Sequence, residues 1–204
     1  GATTTVSGNI NLDGGRILGG NFTNAARLIL NQSDVELSGA FTNNNGHLTI
    51  LQGASRLAAA SMLNNGEIQL GSSGSQLSMA SLTNSGTILG SGSLNASVQN
   101  SVVGRIDLTT GNRLVMNQSG HSNAGTISLV GGELQVNGLI TNQAQTGLIS
   151  GREGIMRFSG GLENHGSLII SNGTTDIFGD INSATFVNST NRSRITVSGG
   201  GVAN

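Results

Sequence analysis

The sequence predicts an all-β protein: a single-stranded parallel β-helix, or β-solenoid, of about ten coils of about 20 residues each. Three observations predict it. Apolar and polar residues alternate over short segments, glycine recurs about every six to eight residues, and an asparagine recurs at a mean spacing of 20.5 residues. Alternation with period two is typical of strands, frequent glycine disfavours helices, and a repeat this short indicates stacked strands rather than helix pairs.

The recurring asparagine lies two residues after a position that is apolar in eight of nine copies and His121 in the other. Asparagine tolerates the left-handed backbone that a sharp corner needs. Asparagines stacked in successive coils can donate a hydrogen bond to one neighbour and accept one from the other. The repeated corner therefore predicts a structural ladder formed by Asn24, Asn43, Asn64, Asn84, Asn100, Asn123, Asn142, Asn164 and Asn188.

Each copy is expected to hold two strands and a corner, with the apolar residues of both strands facing a shared core. Leu148 and Ile88 head two weaker first strands, and threonines between inward residues, such as Thr49, are expected to face outward. The first-strand inward pairs are Ile10/Leu12, Leu28/Leu30, Leu48/Ile50, Ile68/Leu70, Ile106/Leu108, Ile127/Leu129, Leu168/Ile170 and Ile195/Val197. The second-strand inward residues are Val35/Leu37, Leu57/Ala59, Leu77/Met79, Leu94/Ala96, Leu114/Met116, Leu134/Val136, Met156/Phe158 and Phe178.

Uneven spacing of the asparagines predicts local irregularities. Loops or bulges are expected near Val102–Val103 and Gln118–His121, and an extra segment within Thr174–Ser183. Ten coils stacked at the strand spacing give a rod about 48 Å long. With no linker in the sequence, residues 1–204 are predicted to form a single β-solenoid domain, which is either a whole protein or a segment of a longer repeat protein.

The composition narrows the classes of partner. Charged residues make up 9% of the chain, the net charge is −1, and the nine basic residues are scattered arginines. A nucleic-acid-binding protein would carry a basic cluster, and a membrane-spanning helix needs about 18 or more apolar residues, so neither partner is expected. The chain has no cysteine, which excludes disulfides and thiolate chemistry. Regular spacing of the aliphatic residues argues against disorder.

The carboxylates do not predict catalysis. Glycosidases need two carboxylates facing each other across the scissile bond, and here the carboxylates are dispersed in sequence. The close pair Asp176 and Asp180 is expected to be turn residues rather than a calcium site, which needs six to eight oxygen ligands. Arg152, Glu153 and Arg157 are expected to form surface salt bridges.

The three histidines are not expected to bind a metal. His47 and His165 follow predicted corners, His121 replaces an apolar residue, and the coils between them carry no histidine. We therefore expect no catalytic residue, no metal site and no cofactor, and we expect that the protein is not an enzyme.

The segment from Gly125 to Asn182, which includes GTISLVGGELQVNGLITN and ends in GTTDIFGDIN, carries a resemblance. It resembles the long β-helical repeats of bacterial exported surface proteins: autotransporter passengers, filamentous-haemagglutinin-like adhesins and exported proteins with a C-terminal sorting segment. The resemblance implies a parallel β-helix at the bacterial cell surface or outside the cell. It carries over no catalytic residue.

These observations predict an extracellular structural β-solenoid that forms a stalk, fibre or matrix filament. Solenoids protect their terminal strands with polar caps or plugs, and neither Thr3–Val6 nor Gly199–Gly201 has that character. End-to-end stacking into a head-to-tail homopolymer is therefore expected. A carbohydrate-binding or carbohydrate-active β-helix, or an adhesin passenger domain with a glycan or other surface ligand, is the alternative.

Overall fold

The structure, a computed structural model, describes residues 2–178, 181–183, 187–190 and 194–198, with side-chain burial described as far as residue 177. Phe186, the apolar residue two positions before Asn188, and Asp180 lie outside the described residues. The described strands form one 26-stranded sheet in which strands of successive coils pair in parallel. It winds into a β-solenoid of about nine turns, and the described residues contain no helix. The predicted fold class is confirmed.

Each coil has three strands rather than the two predicted, because the segment that ends in the ladder asparagine is itself a short strand. β11 (Glu67–Asn84) and β12 (Thr87–Asn100) each run through a whole coil. The first strands are β2 (Ile10–Asp13), β5 (Arg27–Asn31), β8 (Leu48–Gln52), β13 (Arg105–Thr109), β16 (Thr126–Val130), β19 (Leu148–Arg152), β22 (Ser167–Ser171) and β25 (Val187–Thr190). The second strands are β3 (Arg16–Gly19), β6 (Asp34–Leu37), β9 (Arg56–Ala58), β14 (Arg113–Met116), β17 (Glu133–Val136), β20 (Ile155–Phe158), β23 (Thr174–Phe178) and β26 (Arg194–Ser198). The third strands are β1 (Thr3–Val6), β4 (Asn21–Asn24), β7 (Ala40–Asn43), β10 (Ser61–Asn64), β15 (His121–Asn123), β18 (Ile140–Asn142), β21 (Leu162–Asn164) and β24 (Ile181–Ser183).

The core is a set of rows that run along the solenoid axis. Because side chains alternate across a strand and the strands pair in register, each inward residue packs on its equivalent in the next coil. Phe22 and Phe41 begin one row and stack with ring centroids 5.6 Å apart and an angle of 5° between their planes. That third-strand row runs Phe22, Phe41, Met62, Leu82, Val98, His121, Ile140 and Leu162.

The predicted inward pair Leu48/Ile50 lies on the outward side of its strand because the corners differ in length, although Ile50 is only 6% exposed. Leu28 lies four residues after its ladder asparagine, but the paired residue in the next coil is Thr49, six residues after Asn43. Thr49 and Leu51 are both fully buried, and Leu48 is half-buried on the outward side. The backbone pairing and the ladder fix the register, so a longer corner bulges outward and the alternation starts on a different residue.

The same effect corrects the prediction for Leu148. The inward residue is Ile149, seven residues after Asn142, and it pairs with Ile127. Ile149 is fully buried and Leu148 is half-buried. Ile88, which heads the other predicted weak first strand, is inward and buried as expected. The next inward position of that strand is Gly90, which pairs with Leu70 of the preceding coil.

The second strands are buried as predicted but aligned differently. Leu94 pairs with Met116, and Gly92 pairs with Leu114, so the inward pair moves by two residues between these coils. In earlier coils the position equivalent to Gly92 is a buried serine whose hydroxyl donates to backbone carbonyls, as Ser75 does to Leu51 O at 3.0 Å. A shift of two residues leaves the same side chains facing inward, so the alternation within one strand cannot reveal it.

In the last coils the register also corrects Phe178. The residue that pairs with Phe158 is Ile177, which is fully buried. The predicted extra segment within Thr174–Ser183 is wrong, since Thr174–Phe178 and Ile181–Ser183 are an ordinary second and third strand. The predicted irregularity at Val102–Val103 is confirmed as an exposed turn, and residues 117–120 leave the strand pattern before His121 enters β15.

Candidate functional site

The asparagine ladder is the most regular polar feature of the molecule. Seven hydrogen bonds join eight consecutive asparagines, each from Nδ2 of one asparagine to Oδ1 of the asparagine in the next coil, at 2.7–2.9 Å. All eight side chains are at most 2% exposed. The members are Asn24, Asn43, Asn64, Asn84, Asn100, Asn123, Asn142 and Asn164.

The second proton of each Nδ2 also has a partner. Asn84 donates to Arg105 O at 3.0 Å, and the other six donors make the same contact with the following coil at 3.1–3.3 Å. The amide therefore clamps the side chain and the backbone of the next coil together. A buried amide costs free energy unless it is hydrogen-bonded, and a satisfied network of this kind fixes the register.

Most corners beside the ladder require glycine, although Ala26 and His47 occupy the equivalent position in two early coils. A Cβ at Gly86 would lie 1.9 Å from Gly66 O, and one at Gly66 would lie 2.2 Å from His47 O. Successive corners stack their backbones directly on one another, which leaves no space for a side chain. This close approach is the physical reason for the pairing of asparagine with glycine that the sequence repeats.

The ladder starts at Asn24. The residue paired with Asn24 in the preceding coil is Val6, and the Ala26 N–H donates to Asn24 Oδ1 at 3.2 Å. The first amide is thus satisfied within its own corner, without an asparagine below it.

Asn188 is not the ninth member of the ladder, so that prediction is wrong. Asn188 lies in β25 and pairs with Ile169, while the residue paired with Asn164 is Ser183. Ile181 lies two residues before Ser183 and pairs with Leu162, so the apolar half of the pattern is present and serine stands where asparagine was sought. Asn188 fits the repeated sequence pattern but does not lie in the register of the ladder.

His121 occupies the apolar third-strand row, as the sequence indicated, and is 2% exposed. The Val98 N–H donates to its Nδ1 at 3.2 Å, and its Nε2 is buried without a hydrogen-bond partner. Burial lowers the pKa of His121 below its ordinary value of 6.5, an effect that the Gln118 backbone partly opposes. The histidine is therefore held neutral in the core.

His47 and His165 lie in other coils, in corners that follow Asn43 and Asn164. The structure does not bring the three histidines together. Among the described residues no group of three or more His, Cys, Asp or Glu side chains is placed to hold a metal ion. Asp176 lies in β23 opposite Arg157 in the parallel register.

Two ion-pair networks lie on the outward side of the second strands, and the sequence did not reveal them because their members are about 20 residues apart. In each, one glutamate contacts arginines from two other coils. All the side chains are 25–55% exposed, so water screens these pairs. The networks are Arg16–Glu36–Arg56 and Arg113–Glu133–Arg157.

The predicted cluster of Arg152, Glu153 and Arg157 is replaced by one of these networks. Arg157 pairs with Glu133 of the preceding coil. Glu153 is exposed in a corner with a φ of 56°, and Arg152 is exposed at the end of β19. Stacking, which brings residues of different coils together, decides the partner.

A groove crosses the corner side of the solenoid. The corners after Asn43 and Asn100 are two residues longer than the two corners between them, so they form the walls of a depression. The walls are three strand spacings, or about 14 Å, apart. Its half-buried floor and its walls carry amide, hydroxyl, imidazole and carboxylate groups, with an exposed valine at one edge. The lining includes Asn45, His47, Asn65, Glu67, Ser85, Thr87 and Val103.

A second asparagine row lies outside. Asn117 Nδ2 donates to Asn95 Oδ1, and Asn137 Nδ2 donates to Asn117 Oδ1, both at 2.7 Å. The sequence analysis did not separate these asparagines from the many others in the chain.

Comparisons with protein-family models, with curated proteins and with solved structures found no match for this chain. The described part of the chain contains no helix long and apolar enough to cross a membrane.

Proposed function

We propose that this protein is an extracellular structural rod, in which the β-solenoid serves as a stalk, fibre or matrix subunit that extends by end-to-end stacking. The observation that carries the proposal is the constant three-strand cross-section, in which the inward rows and the asparagine ladder continue from coil to coil. Such a stack has no preferred length, because each coil offers the next the same backbone edge. Its placement at a bacterial surface is supported by the sequence resemblance described above.

The first coil has an edge on which a further coil would pack. Ile10, Leu12 and Ile17 face inward there but are only partly buried, whereas their partners Leu28, Leu30 and Val35 in the next coil are fully or almost fully buried. The last described strands, β25 and β26, have the same parallel arrangement. A copy stacked on the first coil would cover these side chains and extend the backbone pairing. The junction would depend on backbone and apolar contacts, since Val6 stands where the ladder would continue.

Electron microscopy over a concentration series tests the proposal. We expect rods one solenoid wide whose length grows in steps of about 43 Å, the length of nine coils at the strand spacing. Leu12→Lys places a charge in the junction and should shorten the rods, whereas Leu18→Lys is the matched control because Leu18 is 65% exposed in the same coil. Rods of single length at every wild-type concentration would refute end-to-end stacking.

A glycan-binding adhesin is the second candidate, and the corner groove favours it. Its mixture of amide, hydroxyl and carboxylate groups suits the hydroxyls of a neutral sugar. A glycan array with the wild-type protein and with Glu67→Gln separates the two functions. Binding that Glu67→Gln weakens, from protein that remains single rods, would favour the adhesin.

A further inference from the structure

The three faces of the solenoid differ sharply in charge. The outward residues of the third strands form a surface that we name face C. Within the described residues, face C carries no charged side chain from Thr3 to Thr141, and Glu163 is the first one along it. The outward sides of the first and second strands, in contrast, carry arginines and carboxylates in most coils. Face C comprises Thr3, Thr5, Asn21, Thr23, Ala40, Thr42, Ser61, Leu63, Ser81, Thr83, Ser97, Gln99, Ser122, Thr141 and Glu163.

Face C is also regular. Thr5, Thr23 and Thr42 pair in sequence along one row, and Thr83 continues the row after Leu63. The uncharged part spans eight third strands, about 34 Å along the axis. Most of its side chains are small, and neighbouring strands of a parallel sheet keep them at a constant spacing.

We propose that face C is a lateral association surface, and that its partner is face C of a second copy of this chain. Hydroxyls and amides both donate and accept hydrogen bonds, so a surface built from them is complementary to itself. A two-fold axis would set the same patch against itself, as in most symmetric dimers. Pairing through either charged face would instead bury arginines and carboxylates, at a cost in desolvation.

The size of face C sets the strength of the contact. The first six strands of face C have two outward residues each and the later ones have one, so the face is at most about 11 Å wide and each copy contributes at most on the order of 400 Å², or about 800 Å² in total. Stable interfaces bury about 1,200–2,000 Å², so two isolated rods pair weakly. Along a filament the same contact repeats in every subunit, and the combined affinity rises steeply. That accumulation rests on the proposed end-to-end assembly, whereas the pairing of two rods does not.

Charge substitutions on two faces test the proposal. The test variant is Thr42→Lys with Thr83→Lys, two coils apart on face C. The control is Thr126→Lys with Ser167→Lys, also two coils apart but on the outward side of the first strands. Both variants change the net charge equally, and circular dichroism melting verifies that both fold.

Analytical ultracentrifugation and electron microscopy give the outcome. We expect wild-type protein and the control to pair side by side at high concentration, and the face C variant to pair at least tenfold more weakly. Width reports lateral pairing and length reports end-to-end stacking, so either proposal can fail without the other. Equal pairing by the two variants, or wild-type rods that never widen, would overturn the inference. The proposed lateral association would also be wrong if wild-type rods stay single and face C binds a neutral glycan that the Thr42→Lys, Thr83→Lys variant does not bind.

Discussion

The molecule contains two asparagine rows that are joined by the same kind of amide-to-amide hydrogen bond and have different surroundings. In the core, Asn84 Nδ2 donates to Asn100 Oδ1 at 2.8 Å, and on the surface Asn117 Nδ2 donates to Asn95 Oδ1 at 2.7 Å. Asn84 is fully buried, whereas Asn117 is exposed. Water can replace a partner on the surface but not in the core, so equal distances correspond to unequal contributions to stability. Hydrogen-bond geometry alone therefore does not identify the row that holds the coils in register.

The largest effect is expected from a substitution that breaks the buried asparagine row. Asn84→Asp keeps the shape but replaces Nδ2 with a carboxylate oxygen that faces Asn100 Oδ1 and Arg105 O. We expect the free energy of unfolding to fall by about 3–5 kcal/mol. The chain has no Trp or Tyr, so urea unfolding should be followed by circular dichroism.

Asn117→Asp is the matched control for that substitution. On the surface the same change should alter the free energy of unfolding by less than about 0.5 kcal/mol. Equal losses in the two variants would show that burial does not distinguish the rows.

The second expected effect concerns pH. Because the pKa of His121 is lowered in the folded protein, protonation favours the unfolded chain. The stability associated with neutral His121 is complete above about pH 6.5 and falls as the pH drops below that value, by up to about 1.4 kcal/mol per pH unit until the folded-state pKa is reached. Its row neighbours Val98 and Ile140 are apolar, and no other titratable side chain is buried among residues 2–177, whose burial the structure describes.

His121→Leu isolates this contribution from that of the carboxylates, which also titrate in acid. The variant should lose the decline between pH 6.5 and 5 and be more stable than the wild type at pH 5. Unfolding curves measured at half-unit pH intervals provide the comparison. Parallel pH profiles for the two proteins would contradict the assignment to His121.

A smaller effect is expected at Thr49, where the buried row touches the core. Thr49 Oγ1 donates to Asn43 Oδ1 and accepts from Asn24 Nδ2, both at 3.1 Å. Both amides keep their ladder partners without it. Thr49→Val should therefore change the free energy of unfolding by less than about 1 kcal/mol. A loss close to that of Asn84→Asp would mean that the ladder needs the threonine.

The smallest effect belongs to the exposed ion pairs. Glu133→Gln removes the shared partner of Arg113 and Arg157, whose side chains are 50% and 38% exposed. We expect a loss of about 0.5 kcal/mol or less at low salt that disappears in 1 M NaCl. A loss that persists in high salt would indicate a contribution beyond screened charge.

Prediction from sequence succeeded where the signal is local and repeated. Alternation identified residues such as Leu28 and Ile127 as inward, and the recurring asparagine identified the ladder. The left-handed backbone expected of those asparagines is wrong, since none of the eight has a positive φ and each ends a strand. Prediction failed where register depends on a neighbouring coil. Leu48 and Asn188 each fit the local pattern, but the backbone pairing assigns their positions to Thr49 and Ser183.

The surface features were less predictable for the same reason. Arg157 pairs with Glu133, the corner groove forms between long corners, and the uncharged part of face C is continuous because residues about 20 positions apart become neighbours. The residue pattern within a single repeat does not predict these contacts, because they join residues of different coils.

The sequence by itself determined the fold class and the members of the ladder up to Asn164, since period-two alternation acts through neighbouring residues and the asparagine recurs about once per coil. The tertiary structure alone decided which coil positions coincide and thus what each face presents. Corners of four, six or seven residues all join the same stacked strands, because extra residues bulge into solvent at little cost while the ladder and the backbone hydrogen bonds hold the register.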